Sequence, residues 1–549
     1  MSTSNIDKDS NLEAAVLDSA HLGDIKGALG TIKIDDQNER RTWLKKLLTL
    51  LAIVGPGLIV MVGDNDAGGV ATYAQAGQNF GLSLLWVLPL LIPVLVVNQE
   101  MVVRLGAVTG VGHAKLINER FGKFWGAFSV GDLFLLNFLT IVTEFIGVSL
   151  SLGYFGVSSY ISVPIAAIVL VAMTATGSFR RWERFMLLFV VANFLVIPLV
   201  IFSHPHLSPI ARDFVIPGVK GGINSTSVLF IIAIVGTTVA PWQLFFQQSN
   251  IVDKRIVPRW INYERIDTVL GSLVTVIAAT LIIVTTAFAF MHTSLAGNFA
   301  NAGTTAKGLE RYLGNSAGVL FAIVLLNASI IGAAAVTLST SYAFGDVFGI
   351  KHSLHRGLKD ARQFYAIFTV LVLAAAGIVL IPHAPLGLIT TSVQALAGVL
   401  LPSATVFLLL LCNDRAVLGP WVNKLWLNLV ATVIVAVLVA LSLVLMATTV
   451  FPNISVAPLM YSVIATVAGS IGVALIVGIR SKLKSKMPIT EEDTKYENRN
   501  TWRMPPLSLL ERPVWSRGKK IAMFTLRGYL VIAVILLFVK AVQIGTGHH

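Results

Sequence analysis

Charge and sulfur are what this chain has least of. Only 13 % of its 549 residues are Asp, Glu, Lys or Arg, and 55 % are hydrophobic, whereas a soluble domain carries roughly 25 % charged residues. With a mean hydropathy of +0.79, the composition excludes a soluble globular protein and implies a polytopic membrane chain. The one cysteine, Cys412, ends an apolar run, so there is neither a disulfide framework nor a cysteine metal cage. No Walker loop, dinucleotide fingerprint or His-Glu-x-x-His occurs, and Gly68-Gly69 is too short to cradle a phosphate. The chain therefore reads as a non-enzyme with no ATP-driven engine and no cofactor. Residues 1–46 are polar and lack the apolar core of a cleavable signal peptide; they read as a mobile cytoplasmic tail.

Long hydrophobic runs are plentiful. A span needs about 20 apolar residues, and such runs lie at 47–78 (broken), 82–104, 124–152, 159–177, 184–203, 227–252 (broken), 266–291, 316–345, 362–382, 387–412, 425–451 and 459–479. A thirteenth, 522–545, is weaker because Arg527 and Lys540 bracket its core; it either spans or lies along the interface. Loop charge sets the orientation. With the N-terminus cytoplasmic, the loops on that side collect Arg104, Lys115, Arg120, Arg180, Arg181, Lys254, Arg255, Arg259, Lys351 and Arg356, among others, against Arg212, Lys220, Lys307 and Arg311 opposite. Residues 480–521 add a basic cytoplasmic linker suited to anionic lipid. The net charge of +13 is thus a topology signal in an inner (plasma) membrane protein, and nucleic acid is not the expected partner.

Two spans carry helix-breaking polar stretches. The first is Gly63-Asp64-Asn65-Asp66-Ala67-Gly68-Gly69 and the second is Gly236-Thr237-Thr238-Val239-Ala240-Pro241-Trp242. Carboxylates at bilayer depth are costly and mark an ion or substrate path. Unwound backbone there is tolerated only where it faces protein or a water-filled cavity. Pro241 removes a donor and frees carbonyls near Thr237 and Thr238. The two broken spans are five crossings apart, an odd number, so spans 1–5 (47–203) and 6–10 (227–412) form inverted repeats, with 425–479 as extra C-terminal helices. Interrupted helices at matching places in two halves point to a midplane binding site. The expected architecture is an all-α LeuT-like fold.

The run Gly55-Pro56-Gly57-Leu58, then Asp66-Ala67-Gly68-Gly69-Val70-Ala71-Thr72 and Gln75-Ala76-Gly77, resembles the first helix of NRAMP divalent-metal transporters, whose motif reads Asp-Pro-Gly-Asn. Arg104-Leu105-Gly106-Ala107-Val108-Thr109-Gly110 resembles the family's loop after the second helix, Ala240-Pro241-Trp242 stands where the family has Met-Pro-His, and Gln394 resembles a glutamine that joins the metal site. The resemblance implies divalent-cation transport by alternating access. Candidate cation contacts are then Asp66, Asn65, Gly69, Thr237, Ala240 and Gln394, with Asp64, Trp242, Glu144 and Gln247 lining the cavity or standing behind it.

The departures from the family pattern carry the specificity argument. Gly69 replaces the metal-binding Asn and Ala240 the Met. Loss of a soft thioether favours hard, oxygen-liganded cations, and a roomier site suits Mg²⁺, which keeps several waters. The pattern resembles the NRAMP-related magnesium transporters, with Mn²⁺ also permeant and Ca²⁺ poorly so. The family's proton-coupling Asp position holds Ile141, its His positions hold Trp242 and Gln247, and only Glu144 is retained. Neither Trp nor Gln titrates near neutral pH, so uptake is expected to be uncoupled and driven by membrane potential. Two charges per ion gain about 4.6 kcal/mol per 100 mV.

Competing readings attach to single residues. Asp64 lines the cavity or caps a half-helix, and Asn65 ligates or caps. Glu144 pairs with Arg104 or relays a proton, and Trp242 packs or shuts a proton route. His113, His292, His352 and His355 lie near loops and read as solvated. Whole-chain alternatives are a proton-coupled Mn²⁺ or Fe²⁺ symporter, a non-transporting metal sensor, and an organic-solute symporter. The aspartates at the break oppose the last by repelling a carboxylate. No obligatory protein partner is expected beyond the bilayer and the cation.

Overall fold

Helix follows helix from residue 43 to residue 484 in the computed structural model, which describes residues 15–36, 38–382, 386–451, 454–484 and 499–510 and isolated positions between 520 and 532. An N-terminal hairpin pairs β1 (Ile25–Gly27) antiparallel with β2 (Gly30–Ile32). The helices are α1 (Trp43–Ile53), α2 (Pro56–Gly63), α3 (Ala67–Phe80), α4 (Val87–Thr109), α5 (His113–Phe121), α6 (Lys123–Tyr154), α7 (Ser159–Thr174), α8 (Phe179–Ala192) and α9 (Val196–Phe202). Then come α10 (Leu207–Val215), α11 (Ser225–Thr238), α12 (Pro241–Asp253), α13 (Ile261–Phe290), α14 (Ala302–Leu313) and α15 (Asn315–Phe348). The series ends with α16 (Arg362–Val379), α17 (Leu386–Cys412), α18 (Arg415–Leu418), α19 (Leu425–Val450) and α20 (Val456–Lys484).

Among the described residues, nine helices or helix pairs are long and apolar enough to cross a bilayer, or ten if α1 and α2, bent by 51°, count as one span. The run at 159–177 forms the shorter α7, and the predicted span 522–545 lies largely outside the described residues. The first run is interrupted twice, at Val54-Gly55 as well as at Asp64–Asp66. Proline starts the helix after one break in each half: Pro56 opens α2 and Pro241 opens α12. Both sit where a missing N–H costs nothing. Gly55 takes φ of 152°, and the Glu183 carboxyl and Lys254 Nζ stand where a Cβ would go, so a side chain has neither the backbone conformation nor the space. Asp267 Oδ2 accepts the Gly55 and Gly57 N–H groups at 3.0 and 2.8 Å, satisfying donors that the start of α2 leaves free.

The repeats pack around the breaks. α13 runs along α2 and α3, α15 along α6, and α11 against α17. Small residues let these pairs approach: a methyl at Gly236 would come within 2.7 Å of Gly398 Cα, and one at Gly57 within 2.9 Å of Thr268 Cα. The architecture is the all-α polytopic LeuT-like one, with helices 1 and 6 broken and further helices C-terminal to the repeats.

Three expectations fail on the face that carries most loop arginines, called the basic face below. Residues 15–36 are not a loose tail: Ala15, Asp18, His21, Ile25, Ala28 and Ile32 are buried against the bundle. Composition missed this because the contacts are mostly side chain to backbone, which leave no hydrophobic periodicity. His113 and His352 are buried and hydrogen-bonded, His113 Nδ1 to Gln248 Oε1 at 2.9 Å and His352 Nε2 to Asp346 Oδ1 at 3.1 Å. Arg104 pairs with Glu100 at 2.9 Å, not with Glu144, and its other nitrogens reach Trp421 O and Asn423 Oδ1 at 2.6 and 2.5 Å.

Candidate functional site at the two helix breaks

Both breaks are short. Asp64, Asn65 and Asp66 separate α2 from α3, and Val239 and Ala240 separate α11 from α12. The two halves meet through Tyr73 Oη, 2.7 Å from Thr238 Oγ1. Asp66 is the N-cap of α3, with its Oδ1 accepting the Gly69 N–H at 2.6 Å. Its position answers two needs, since a carboxylate satisfies an orphan helix donor and favours the positive end of the helix dipole. The carbonyl ends of α2 and α11 and the amide ends of α3 and α12 all converge here, the arrangement that discontinuous helices use to hold an ion.

Around Asp66 the polar atoms outnumber their partners. Glu144 Oε2 accepts the Ala67 N–H at 3.0 Å, and its carboxyl lies against that of Asp66. Both rest on α15 at Gly332, where a methyl would come within 2.7 Å of Asp66 Cβ and of Glu144 Oε2. The Gln394 carboxamide reaches over Gly68, and a methyl there would collide with it and sit 3.3 Å from Asp66 Oδ1. Thr237 Oγ1, Gln394 Nε2, Glu144 Oε1, Asn65 Oδ1 and both carboxylate oxygens of Asp64 are buried without a well-formed hydrogen bond. Asp64 faces the Gln243 side chain and the Ala240 N–H. Asn65 is fixed by its Nδ2, which donates to Thr275 O at 3.1 Å. Among the described residues, none of Asp64, Asp66 and Glu144 has a lysine, arginine or histidine in an ion pair. Buried charges are normally paired or bound to a cation, so oxygens left over in this number describe a cation-binding chemistry. His, Cys, Asp and Glu alone do not make it: no group of three or more such residues suited to a metal occurs among the described residues. The set is carboxylate, carboxamide, hydroxyl and backbone oxygen.

The nominated residues do not all fall in one place. Asp66, Gly69, Thr237, Gln394 and Glu144 cluster, with Asp64, Asn65 and Ala240 at its edge. Trp242 lays its ring over Gly63, 3.4 Å from where a methyl there would lie, and its carbonyl accepts from Ser339 Oγ at 3.0 Å. Gln247 points elsewhere, donating to Thr268 Oγ1 on α13 at 2.9 Å. The space expected at Gly69 is not there either. A methyl would lie 2.9 Å from Asp64 O, 3.0 Å from Thr237 Oγ1 and 3.4 Å from Asp66 Oδ1. Glycine allows the two breaks to close on each other rather than opening a cavity. On the side of the site away from the basic face, a small cavity of about 10 Å³, room for no more than about one water, is lined by Ala67, Ala71, Thr143, Gly147, Asn301 and Thr390, among others.

Several site neighbours escaped the sequence reading. Gln243 accepts from Gln99 Nε2 at 3.0 Å, and Tyr73 braces the break. The signal was present in the polar pair Asn98-Gln99 inside an apolar span and in the three glutamines of α12. A second buried cluster, at the α1–α2 bend, was also missed. Lys254 Nζ lies 2.6 Å from Glu183 Oε1 and donates to the carbonyls of Ile53 and Val54 at 2.5 and 3.0 Å, with Glu264 and Asp267 nearby. Its members come from three distant stretches of chain, so no local motif announces it.

Fold and site together define a polytopic helical membrane protein with an oxygen-rich pocket where two broken helices meet. The family described as Natural resistance-associated macrophage protein-like has a model that matches residues 57–448, and the chain belongs to that family. Similar proteins include the divalent metal cation transporter MntH of Aeromonas hydrophila, 27 % identical over 409 residues that cover 71 % of this chain and 94 % of the relative. The MntH protein of Ralstonia nicotianae is 29 % identical over 414 residues, 71 % of this chain and 89 % of the relative. In fold, the chain is similar to the crystallised manganese transporter of Eremococcus coleocola, with a TM-score of 0.59 at 20 % identity, covering 86 % of this chain and 99 % of that one.

Proposed function

We propose that the protein is an importer of divalent cations, taking up Mg²⁺ and also Mn²⁺ by alternating access, with the N-terminus and basic face cytoplasmic in a plasma membrane. The observation that carries this is the Asp66 neighbourhood: carboxylates without cationic partners beside unpartnered oxygens of Thr237, Asn65 and Asp64, with the Gln394 carboxamide next to them. Its relatives named as divalent metal cation transporters support the substrate class. The choice of Mg²⁺ rests on the donor set. Ala240 stands at the N-cap of α12 with no thioether, and the contacts are hard oxygens. Mg²⁺ keeps several waters and binds through one or two carboxylates, the first of which Asp66 supplies. Absence of a titratable group at Trp242 and Gln247 supports transport without proton coupling. Candidate ligands are Asp66, Asn65, Thr237, Gln394 and the backbone at Gly69 and Ala240.

One observation favours a second reading. Glu144 sits against Asp66, so a proton held between the two carboxyls would leave when a cation arrives, as a proton-coupled Mn²⁺ symporter requires. Uptake into proteoliposomes carrying a magnesium-sensitive dye, with internal pH recorded in parallel, separates the two. Saturable Mg²⁺ entry without acidification is expected. Mn²⁺ entry with acidification and no Mg²⁺ signal would replace this reading by the second.

A further inference from the structure

The N-terminal segment is clamped to the basic face by a dense set of polar contacts. Asp18 receives Arg356 Nη2 at 2.5 Å and Nε at 2.9 Å, and accepts the His352 N–H at 3.2 Å. Arg255 Nε and Nη1 donate to Ala20 O and Asp24 O, both at 3.0 Å. At the hairpin, Ala28 donates its N–H to Glu183 Oε2 at 2.5 Å, while Arg180 and Arg184 bind the carbonyls of Gly27 and Ala28, each at 3.0 Å. Arg259 holds Asp36 O at 2.8 Å. Ala15 donates its N–H to Met504 O at 3.2 Å, so the 499–510 stretch braces the segment from the other side.

These partners are not one patch of one element. They lie at the start of α8, the end of α12, the turn before α13, and the loop that joins α15 to α16. The hairpin also covers α1, where Gly30 is glycine because a methyl would come within 2.9 Å of Ala52 Cβ. The segment therefore links α1, which leads through the bend into α2 and the first break, to the end of α12, which follows the second. Directly beneath it, Lys254 and Glu183, both fully buried, close the bend between α1 and α2. Separating α1 from the end of α12 requires this strap, packed on the first and bonded to Arg255 beside the second, to let go of one of them.

We propose that residues 15–36 are a latch on the cytoplasmic exit, which holds that side shut in the structure described and lifts for each release of the ion. The proposal rests on the transport reading and orientation given above. Its chemistry suits a reversible contact. The hold comes from arginine–carbonyl bonds and one largely buried ion pair, which water can replace, while the apolar contribution is limited to a few side chains such as Ile25 and Ile32. The glycines of the hairpin set its close fit. The arginines that read as a topology signal are, at positions 180, 184, 255, 259 and 356, also the teeth of the latch.

Two measurements on the full chain in a Cys412→Ser background test this. First, Thr31→Cys and Arg180→Cys, whose native side chains are in contact, are joined by a short bismaleimide in detergent before reconstitution. Mg²⁺ and Mn²⁺ uptake should fall at least about tenfold against the same protein left unbridged. Second, Ile25→Cys, buried under the docked hairpin, is labelled with a polar maleimide with and without Asp18→Ala. Labelling should accelerate at least about tenfold in the Asp18 variant, because the segment loses the buried carboxylate that Arg356 and the His352 N–H hold. Bridged protein that transports at the unbridged rate overturns the latch. So does equal labelling of Ile25→Cys in both backgrounds. If the unbridged protein carries neither ion, the transport reading has failed, and the labelling comparison still decides whether the segment is held as described.

Discussion

Replacing Asp66 by asparagine separates two jobs that one carboxylate performs. The first is structural: Oδ1 caps α3 by accepting the Gly69 N–H at 2.6 Å. A carboxamide oxygen accepts the same bond, and Asn ranks with Asp as an N-cap, so folding should lose less than about 1 kcal/mol. The second is electrostatic. At about 4 Å and an effective dielectric near 20, two unit charges attract by roughly 4 kcal/mol, so a divalent ion loses about 8 kcal/mol of gross attraction. Even if released desolvation offsets three quarters of that, the remaining ~2 kcal/mol weakens binding about 30-fold. The assay is Mg²⁺ uptake over a range of external concentration, with thermal unfolding of the same preparation. Asp66→Asn should keep its melting transition and lose saturable uptake, and Asp66→Ala should lose both the uptake and part of the stability. An asparagine variant with unchanged rate and apparent affinity would refute the assignment of the charge to the ion.

Three further outcomes follow from other parts of the molecule. Lys254→Met should cost about 3–5 kcal/mol by stranding buried Glu183, and adding Glu183→Gln should return a substantial part; thermal unfolding of the single and double variants reads this, and an additive double variant would contradict it. Ala240→Met places a thioether at the N-cap of α12 and should move preference toward Mn²⁺ or Cd²⁺ in competition uptake, since softer ligands select such ions; unchanged selectivity would show that the metal does not meet this position. Docking of the N-terminal segment should weaken in acid. Burial pushes His21 below its ordinary 6.5, despite Asp253 at the end of α12, Asp346 on α15 and its own segment's Asp18, and with His352 beside it opposing the charge. A base whose docked value is depressed leaves docking at full strength above its free value and weakens it as pH falls below that. Asp18 does not share the effect: burial alone would raise its carboxyl, but bonds from Arg356 and the Ala20 N–H hold it near 2. Labelling of Ile25→Cys should therefore quicken between about pH 7.5 and about pH 5.5, and His21→Gln should remove that dependence.

The broken helices were readable because they violate a strong rule. Charge and helix breakers do not belong in a membrane span, so Asp64–Gly69 and Pro241 stand out against their surroundings. The inverted repeat followed from counting the crossings between them. Gln394 was different, since a lone glutamine in a span is ordinarily a packing residue and only a family resemblance raised it. What sequence could not show was occupancy of space. Gly69 looked like a missing ligand, yet in three dimensions the first turn of α3 meets the Asp64 carbonyl and the last turn of α11 there. Loops hid the most. Arg180, Arg255 and Arg356 count toward orientation in any linear reading, while their partners, the carbonyls and Asp18 of the N-terminal segment, lie some 150 to 340 residues away in sequence. Bonds from side chain to backbone carry no pattern, so a segment held by them reads as polar and loose.

The central claim is that a divalent cation moves through this protein on charge alone. The direct test is the limiting accumulation of Mg²⁺ in proteoliposomes clamped at a series of potentials, repeated with an imposed pH gradient. Two charges per ion give about 4.6 kcal/mol per 100 mV, or a tenfold change in the inside-to-outside ratio for every ~30 mV. The account predicts that slope and no change in the ratio when the pH gradient is reversed. A ratio that follows the pH gradient would contradict it and assign the driving force to protons held at Glu144 and Asp66.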